Sequence, residues 1–310
     1  MDLTPGISDN WSMVTEIDSA QDAYRRDGYL LCKGFFADEI PLLTALVDRD
    51  RDVLLEREDI TIDSRGGEAS NLGYLGKGDD VVAAFARTAR LVNLVGGLLG
   101  DDVYLLKGRL NIKWGDSVPE RRGGWDPHQD RAAWAKEGLP GDAALTAAIA
   151  VDDAGVENGA LEVIPGSHRG GLLEHTGIDA GYGISEGLVQ PLLQRSSHRA
   201  LEMAAGDMVI FSGDLIHLSK PNLGSRRRAL LFLTYNAVGN SPPKGVGPSR
   251  YQCPGALAGR DDGQLAKLAR AFRVGDYTPR LDWDAIAEER DIDVAEDIDS
   301  GWTDLTPTLR

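Results

Sequence analysis

The feature that most constrains the fold is the change in residue pattern after Asp102. From there the chain consists of short apolar runs separated by Gly, Pro and Asp residues. Short strands at this spacing favour a β-sandwich or barrel over alternating strand–helix units. The runs that we predict as strands are Val103–Leu106, Leu110–Trp114, Ala143–Val151, Leu161–Ile164, Met208–Phe211 and Ala229–Tyr235.

The first hundred residues show helical periodicity instead. Ala20–Asp27 predicts a short helix, and Tyr29–Lys33 predicts a strand. Ala37–Leu55 and Val81–Leu99 each place apolar side chains on one face, which predicts two amphipathic helices. Glycines close to position 100 mark the end of the second of these helices.

The chain has 310 residues, 42% of them hydrophobic, which is enough to bury a full core. It contains no repeat and no Pro/Ser-rich linker, so we predict one domain over residues 1–310. A helical buttress at about 18–100 precedes a β-rich core at about 101–240 and a C-terminal extension at about 241–310. The long Gly-rich connection Gly166–Arg199 is predicted to be a lid.

The charge balance excludes several classes of partner. A formal net charge of -16 and a pI near 4.7 repel phosphate backbones and anionic lipid, so we expect neither nucleic acid nor membrane as a partner. Two cysteines, Cys32 and Cys253, do not indicate a disulfide framework, and the polar segment Met1–Glu16 lacks the pattern of a secretion signal. We expect a cytoplasmic monomer or homodimer that acts on a small molecule.

Three residues form a candidate metal site. His128 and Asp130 are two positions apart, so on an extended strand both side chains point to the same face. His217 follows a strand-like run and a turn, which makes it available as a third ligand. Two histidines and one carboxylate are typical of non-haem Fe(II) oxygenases. A structural histidine or a zinc-dependent hydrolase using the same ligands are the alternatives.

The three consecutive arginines Arg226–Arg228 come just before the predicted strand Ala229–Tyr235. An arginine at the start of that strand can reach back toward the metal, where its planar guanidinium suits a carboxylate. Such a group would hold a cosubstrate that carries a distal carboxylate. The alternative is a solvated basic turn.

Several separated motifs carry a family resemblance. They are Val103–Tyr104 through Arg109–Lys113, Trp125–Trp134 continuing to Glu137–Pro140, Asn158–Leu161 through Ile164–His168, and His217 through Arg228. Over roughly Gln21 to Asn236 the chain resembles the phytanoyl-CoA dioxygenase family, and most of all its ectoine hydroxylase branch. The resemblance implies a β-rich α+β fold: a double-stranded β-helix (jelly-roll, cupin-like) core buttressed by the N-terminal helices.

The resemblance also implies a reaction and its site. It implies an Fe(II)- and 2-oxoglutarate-dependent dioxygenase that uses O2, with His128, Asp130 and His217 as iron ligands. Arg228 would bind the distal carboxylate of 2-oxoglutarate, and His168 would belong to a structural turn. The remaining matched positions are Asn111, Thr146 and Ser219 beside the cosubstrate and Trp134 in the substrate pocket.

Departures from the ectoine hydroxylase pattern bear on the substrate. Lys107, Gly108 and Arg131 replace a glutamine, a serine and an aromatic residue, and the insertion at Pro119–Gly124 is longer. If Lys107 and Arg131 face the pocket, they favour a substrate with a carboxylate or phosphate, because buried cations need partners. We therefore predict a small polar metabolite of specialised metabolism, with ectoine or a related compatible solute as the alternative.

The type of oxidation follows in part from Asp130. Halogenases of the family have Gly or Ala at this position, so the carboxylate favours hydroxylation, while desaturation and cyclisation stay open. A non-catalytic binding protein on the same scaffold is the other alternative to catalysis.

Overall fold

The computed structural model describes residues 13–78, 80–176, 183–195, 198–246, 251–259 and 261–290. Its helices are α1 (Met13–Asp27), α2 (Pro41–Arg49), α3 (Arg51–Arg57), α4 (Val81–Ala86), α5 (Ala89–Leu99), α6 (Asp130–Lys136), α7 (Glu186–Arg195) and α8 (Asp262–Arg273). Residues 283–290 are also helical. Its strands are β1 (Tyr29–Cys32), β2 (Asp59–Ile62), β3 (Glu68–Leu72), β4 (Val103–Lys113), β5 (Trp125–His128), β6 (Ala144–Ala150), β7 (Leu161–Val163), β8 (His175–Thr176), β9 (Gly183–Ile184), β10 (Arg199–Leu201), β11 (Met208–Ser212), β12 (His217–Ser219) and β13 (Arg228–Ala237).

Two antiparallel sheets form the centre of the fold. The large sheet has the order β1-β11-β6-β13-β4-β3-β2, and the small sheet has the order β10-β7-β12-β5. A separate ribbon pairs β8 with β9. The N-terminal helices cover the outer face of the large sheet. The predicted β-rich α+β fold, a jelly roll buttressed by helices, is confirmed.

Alternation along each strand divides the core into two layers. On β6, Leu145 and Ile149 belong to the apolar cluster that packs against the helices, whereas Ala148 belongs to the cluster between the sheets. On β4, Leu110 likewise joins the helix-side cluster. Successive strand residues point to opposite faces, so Asn111 faces the space between the sheets. The polar residues on the inner face of β4 therefore border the interior of the jelly roll.

Both long predicted helices are divided in two. The range Ala37–Leu55 contains α2, which begins at Pro41, and α3, because Asp50 leaves the helical conformation with φ -92° and ψ 16°. Proline lacks an N–H and is favoured in the first turn of a helix. The range Val81–Leu99 divides at Thr88, which is extended and precedes α5. The Thr88 hydroxyl donates to the Phe85 carbonyl at 3.0 Å and does not cap α5.

The strand predictions need two corrections. Val103–Leu106 and Leu110–Trp114 belong to one strand, β4, which continues through Gly108. A Cβ at Gly108 would lie 2.3 Å from the Leu75 carbonyl oxygen, so the close approach of the chain there requires glycine. The hairpin of β2 and β3, which sequence reasoning missed, extends the large sheet beside β4.

The predicted lid Gly166–Arg199 contains β8, β9 and α7 rather than loop alone, although residues 177–182, 196 and 197 lie outside the described ranges. Trp283 of the C-terminal extension packs against the helix-side cluster, while Trp302 and most of Met1–Glu16 lie outside the described ranges. Across the described residues, no helix has both the length and the apolar character needed to span a bilayer. The assignment of residues 1–310 to one domain stays a prediction.

Candidate metal centre and its cavity

Three side chains converge at one end of the small sheet. His128 ends β5 and His217 begins β12, and the two residues are register partners with ring centroids 4.1 Å apart. Asp130 does not continue the strand as predicted, because α6 begins there after the extended residue Gln129. The carboxylate still points to the histidines: its Oδ1 lies 3.7 Å from His128 Nε2 and 3.9 Å from His217 Nε2.

Backbone carbonyls fix which ring nitrogen of each histidine is free. His128 Nδ1 lies 2.7 Å from the Asp126 carbonyl oxygen, and His217 Nδ1 lies 2.9 Å from that of Leu215. A carbonyl only accepts, so each Nδ1 carries the hydrogen and each Nε2 presents its lone pair. This is the usual way in which proteins orient histidine ligands toward a metal.

Burial and charge set the protonation states. Burial, assisted by the neighbouring His217, lowers the pKa of His128 to about 4, and burial also lowers the pKa of His217. Burial opposes ionisation of Asp130, but His217, Arg109 and His128 outweigh it and lower the pKa of the carboxyl well below its usual range. Near neutral pH the site thus offers two neutral imidazoles and one carboxylate.

This donor set fits a divalent iron ion. Two imidazoles and one carboxylate on one side of a metal leave positions open for other ligands, as in non-haem Fe(II) oxygenases. The ligand atoms of the three residues all lie within 4.8 Å of one another. No second group of three His, Cys, Asp or Glu residues with such convergence occurs in the described part of the chain.

Thr146 contacts the carboxylate of Asp130, and Thr234 contacts Thr146. The Thr146 hydroxyl donates to Asp130 Oδ2 at 3.2 Å, and it also lies 3.1 Å from the Thr234 hydroxyl. Thr146 has one hydrogen, so Thr234 donates to it. Thr146 was expected beside the cosubstrate, but it does not line the cavity described below. Its position on β6 places it behind the carboxylate instead.

Gln129, between two of the candidate ligands, links them to the lid segment. Its fully buried amide donates to the carbonyls of Gly171 and Asp214, at 2.9 and 2.7 Å, and accepts from the Leu173 N–H at 2.8 Å. The Gln129 backbone N–H donates to His175 Nε2 at 2.9 Å. One side chain therefore satisfies three backbone groups around the metal site.

We expect Gln129→Leu to lower the free energy of unfolding by about 2–4 kcal/mol, because three buried backbone groups lose their partners. Urea denaturation checks this, with Gln194→Leu as the control since Gln194 is exposed on α7. Iron affinity should fall as well, because the residues on either side of Gln129 are candidate ligands. A loss no greater than in the control would contradict the role assigned to the amide.

A cavity adjoins the three residues, with about 450 Å³ of empty space when the solvent at its opening is included. It is lined by Asn71, Arg109, Asn111, Trp125, His128, Asp130, Leu161, His217, Leu218, Ser219, Arg228, Leu230 and Phe232. Of the residues predicted to bind the cosubstrate, Asn111, Ser219 and Arg228 are thus brought together with the candidate metal ligands.

Arg228 is a buried residue of the cavity lining. Its side chain is 1% exposed; Nε donates to the Gly159 carbonyl at 3.1 Å and Nη1 donates to Asn111 Oδ1 at 2.9 Å. Burial lowers the pKa of Arg228 to about 9. No carboxylate of the described residues lies within 4 Å of it, and its Nη2 forms no hydrogen bond with them. A buried cation in this state fits an anionic ligand.

The three residues predicted to contact the substrate, Lys107, Trp134 and Arg131, are not part of this cavity lining. Lys107 is nevertheless near enough to Asp130 to help lower the pKa of its carboxyl. Lys107 Nζ lies 5.7 Å from the centre of the Trp134 ring, and Trp134 is buried in an apolar cluster of its own. Arg131 Nε donates to Asp214 Oδ1 at 2.6 Å, so the charge of Arg131 is paired with a carboxylate that does not line the cavity. His168, expected to be structural, contacts the Arg25 carbonyl.

Sequence reasoning assigned no role to Arg109, Lys113 or Gln129. The signal for the first two was present, because residues two apart on a strand share a face with Asn111. Arg109 lines the cavity and its Nη2 lies 3.7 Å from Asp130 Oδ1, and Lys113 is fully buried near Arg228. Gln129 carried no comparable signal, since its partners lie on distant parts of the chain.

Comparisons with known proteins agree with this geometry. The profile of the phytanoyl-CoA dioxygenase family matches residues 24–230. The L-proline trans-4-hydroxylase of Streptomyces griseoviridis is 31% identical over 76% of the chain and 92% of its own length. The ectoine dioxygenase of Sphingopyxis alaskensis is 30% identical over 86% of the chain and 91% of its own length.

The chain is also similar to solved structures. EctD from S. alaskensis with 2-oxoglutarate and 5-hydroxyectoine is 27% identical, covers 84% of this chain and 93% of its own, and has a TM-score of 0.65. The same protein with bound Fe has a TM-score of 0.63. The epimerase SnoN, at 22% identity and a TM-score of 0.60, supports the fold alone.

Proposed function

Since the chain belongs to the phytanoyl-CoA dioxygenase family and is an iron- and 2-oxoglutarate-dependent dioxygenase, we propose that it hydroxylates a small polar metabolite that carries a carboxylate. The observation that carries the proposal is one cavity with three features. The convergent side chains of His128, Asp130 and His217 lie on its wall, the buried cation Arg228 lies in the same lining, and a second cation, Arg109, lies beside Asp130.

In this proposal His128, Asp130 and His217 hold the iron. When bound, iron and 2-oxoglutarate supply the activation of O2 that oxidises a C–H bond, with release of succinate and CO2. The residues of the chain hold and orient the reactants. The carbonyls of Asp126 and Leu215 fix the two rings, so the ligand geometry exists before any ligand arrives.

Arg228 is the proposed partner of the distal carboxylate of 2-oxoglutarate. Asn111 and the Gly159 carbonyl use part of its donor capacity and fix the plane of the guanidinium. Asn111 is held in turn, because its Nδ2 donates to the Ser70 carbonyl at 2.8 Å. The donors of Nη2 remain for the cosubstrate. A zinc-dependent hydrolase would not need this cation, because it binds no 2-oxoglutarate.

The substrate class follows from Arg109. Its guanidinium lies over the Phe232 ring, 5.8 Å from the ring centre, and its buried Nε has no hydrogen-bond partner among the described residues. An unsatisfied buried donor is costly, so a polar ligand group that accepts from it is favoured. Two of the relatives are named for proline and ectoine, and we propose an amino or imino acid, with a compatible solute such as ectoine as the alternative, in specialised metabolism.

A screen for succinate release tests this proposal. Free amino and imino acids, including proline and ectoine, are compared with their neutral amides, and we expect turnover only of the acids. Turnover confined to the amides would contradict a carboxylate substrate. Halide incorporation is not expected, because Asp130 occupies the coordination position that a halide would need.

Arg109→Met gives a second test. We expect the KM of the best substrate to rise roughly tenfold to a hundredfold, because a charge-assisted contact is lost, while the affinity for 2-oxoglutarate changes little. Arg65→Met is the control, since Arg65 is exposed. An unchanged substrate KM in Arg109→Met would exclude Arg109 as the substrate contact.

A further inference from the structure

Lys113 lies behind the wall of the cavity and is fully buried. Its Nζ donates to Ser219 Oγ at 2.8 Å and to the carbonyl oxygen of Lys220. Burial, and then the charge of Arg228, lower the pKa of Lys113 well below its usual range. A lysine in such surroundings is costly for a fold, so its presence calls for a compensating interaction.

The register of the sheet brings two basic residues face to face. Arg228 on β13 and Lys113 on β4 are direct cross-strand partners. Like charges in that relation destabilise a sheet. Within the described ranges, no carboxylate oxygen lies within 4 Å of either side chain. Asp63 and Glu162 act on Lys113 at longer range, but Asp63 accepts from three backbone N–H groups and Glu162 is paired with Lys220. The pair therefore favours an anion that is not part of the described chain.

Gly159 shows that the two cations share one tightly packed turn. Its carbonyl accepts from Arg228 Nε, and its φ is +79°. A Cβ at this position would lie 2.9 Å from Lys113 Nζ and 2.3 Å from the Lys220 carbonyl oxygen. The close approach of the turn to Lys113 holds the ammonium in place and gives it little freedom to move toward solvent.

Ser219 connects Lys113 to the cavity. Its hydroxyl accepts from Lys113 Nζ, and the residue itself lines the cavity. A hydroxyl has a single hydrogen, and Lys113 in its ammonium form, which an anion in the cavity would stabilise, cannot accept it. No acceptor for that hydrogen is found among the described residues. The Ser219 hydroxyl is therefore available as a donor to a ligand in the cavity.

We propose that Lys113 is a positioning residue for the cosubstrate: it orients the Ser219 hydroxyl as a donor to the distal carboxylate and adds to the positive charge of Arg228. The inference rests on the proposed function, which pairs that carboxylate with Arg228. The proposal predicts that Lys113 strengthens the binding of 2-oxo acids that carry a second carboxylate and does not affect the binding of those that lack one.

Anaerobic titration of the Fe(II)-loaded full chain tests the inference through the visible charge-transfer band that bound 2-oxo acids give. We expect Lys113→Met to raise the Kd for 2-oxoglutarate roughly tenfold, because an oriented charge-assisted contact is lost. The Kd for 2-oxovalerate, which has a methyl group in place of the distal carboxylate, should stay the same. Lys267→Met, at an exposed position on α8, is the control.

Ser219→Ala tests the same connection without removing a buried charge, and it carries the test if Lys113→Met does not fold. We expect a loss that is specific to 2-oxoglutarate, and a loss in the double variant smaller than the combined losses of the single variants, since the two residues share one interaction. Equal loss for both 2-oxo acids, or no loss, would overturn the inference alone. A wild-type protein without the band would overturn the proposed function as well.

Discussion

His217→Ala is expected to weaken Fe(II) binding by roughly a hundredfold or more and to abolish 2-oxoglutarate turnover, because the variant loses one of three ligands. The His217 side chain is closely surrounded: it is 5% exposed, and the centre of its ring lies 4.8 Å from the centre of the Phe211 ring. Removing the imidazole therefore removes one of the three candidate ligands.

The measurement is Fe(II) content after gel filtration, followed by the anaerobic band with 2-oxoglutarate. His198→Ala is the matched control, because His198 is 41% exposed and its contact is with Glu162 rather than with the cavity. Circular dichroism separates loss of metal from loss of fold. Iron binding in folded His217→Ala equal to that of the control would remove His217 from the ligand set.

The ligand positions could be predicted from sequence better than their surroundings. His128 and Asp130 stand out because the chain has only five histidines and a spacing of two residues brings side chains to one side. The reasoning was nevertheless incomplete, since Asp130 begins a helix. The carboxylate reaches the histidines because one extended residue, Gln129, turns the chain at the end of β5.

The substrate residues show where sequence reasoning stops. Lys107 and Arg131 attracted attention as charged departures from a family pattern, but a departure does not tell which way a side chain points. Arg131 pairs with Asp214, 83 positions later, a contact that no local pattern predicts. Arg109 matched the pattern and so drew no attention, although it lines the cavity. Only the packing of the two sheets shows that Arg109 lines the cavity and that Lys107 and Arg131 do not.

The hairpin of β2 and β3 was missed for a related reason. Its strands, Asp59–Ile62 and Glu68–Leu72, are only four and five residues long, and β3 contains a glutamate, an alanine and an asparagine, which disfavour strands in isolation. Pairing with β4 stabilises them, so tertiary context decides their conformation. They matter for the site, because Asn71 of β3 lines the cavity and Ser70 holds Asn111.

Arg228→Met should raise the Kd for 2-oxoglutarate on the order of a hundredfold to a thousandfold, since truncating one partner of a buried charge pair costs about 3–5 kcal/mol. The three consecutive arginines provide their own controls. Arg226 is 72% exposed, and Arg227 is paired with Asp152 and Asp48, so neither charge is available to the cavity. Arg226→Met should therefore bind 2-oxoglutarate as the wild type does.

The register of β13 explains why one arginine of the three differs from the others. Arg228 is the first residue of the strand, and it lies opposite Lys113 with its side chain between the sheets, whereas Arg227 points to the other side. The loss in Arg228→Met should vanish for 2-oxovalerate, which has no distal carboxylate for the guanidinium to hold. Equal effects of Arg226→Met and Arg228→Met would show that general positive charge, and not the buried guanidinium, attracts the cosubstrate.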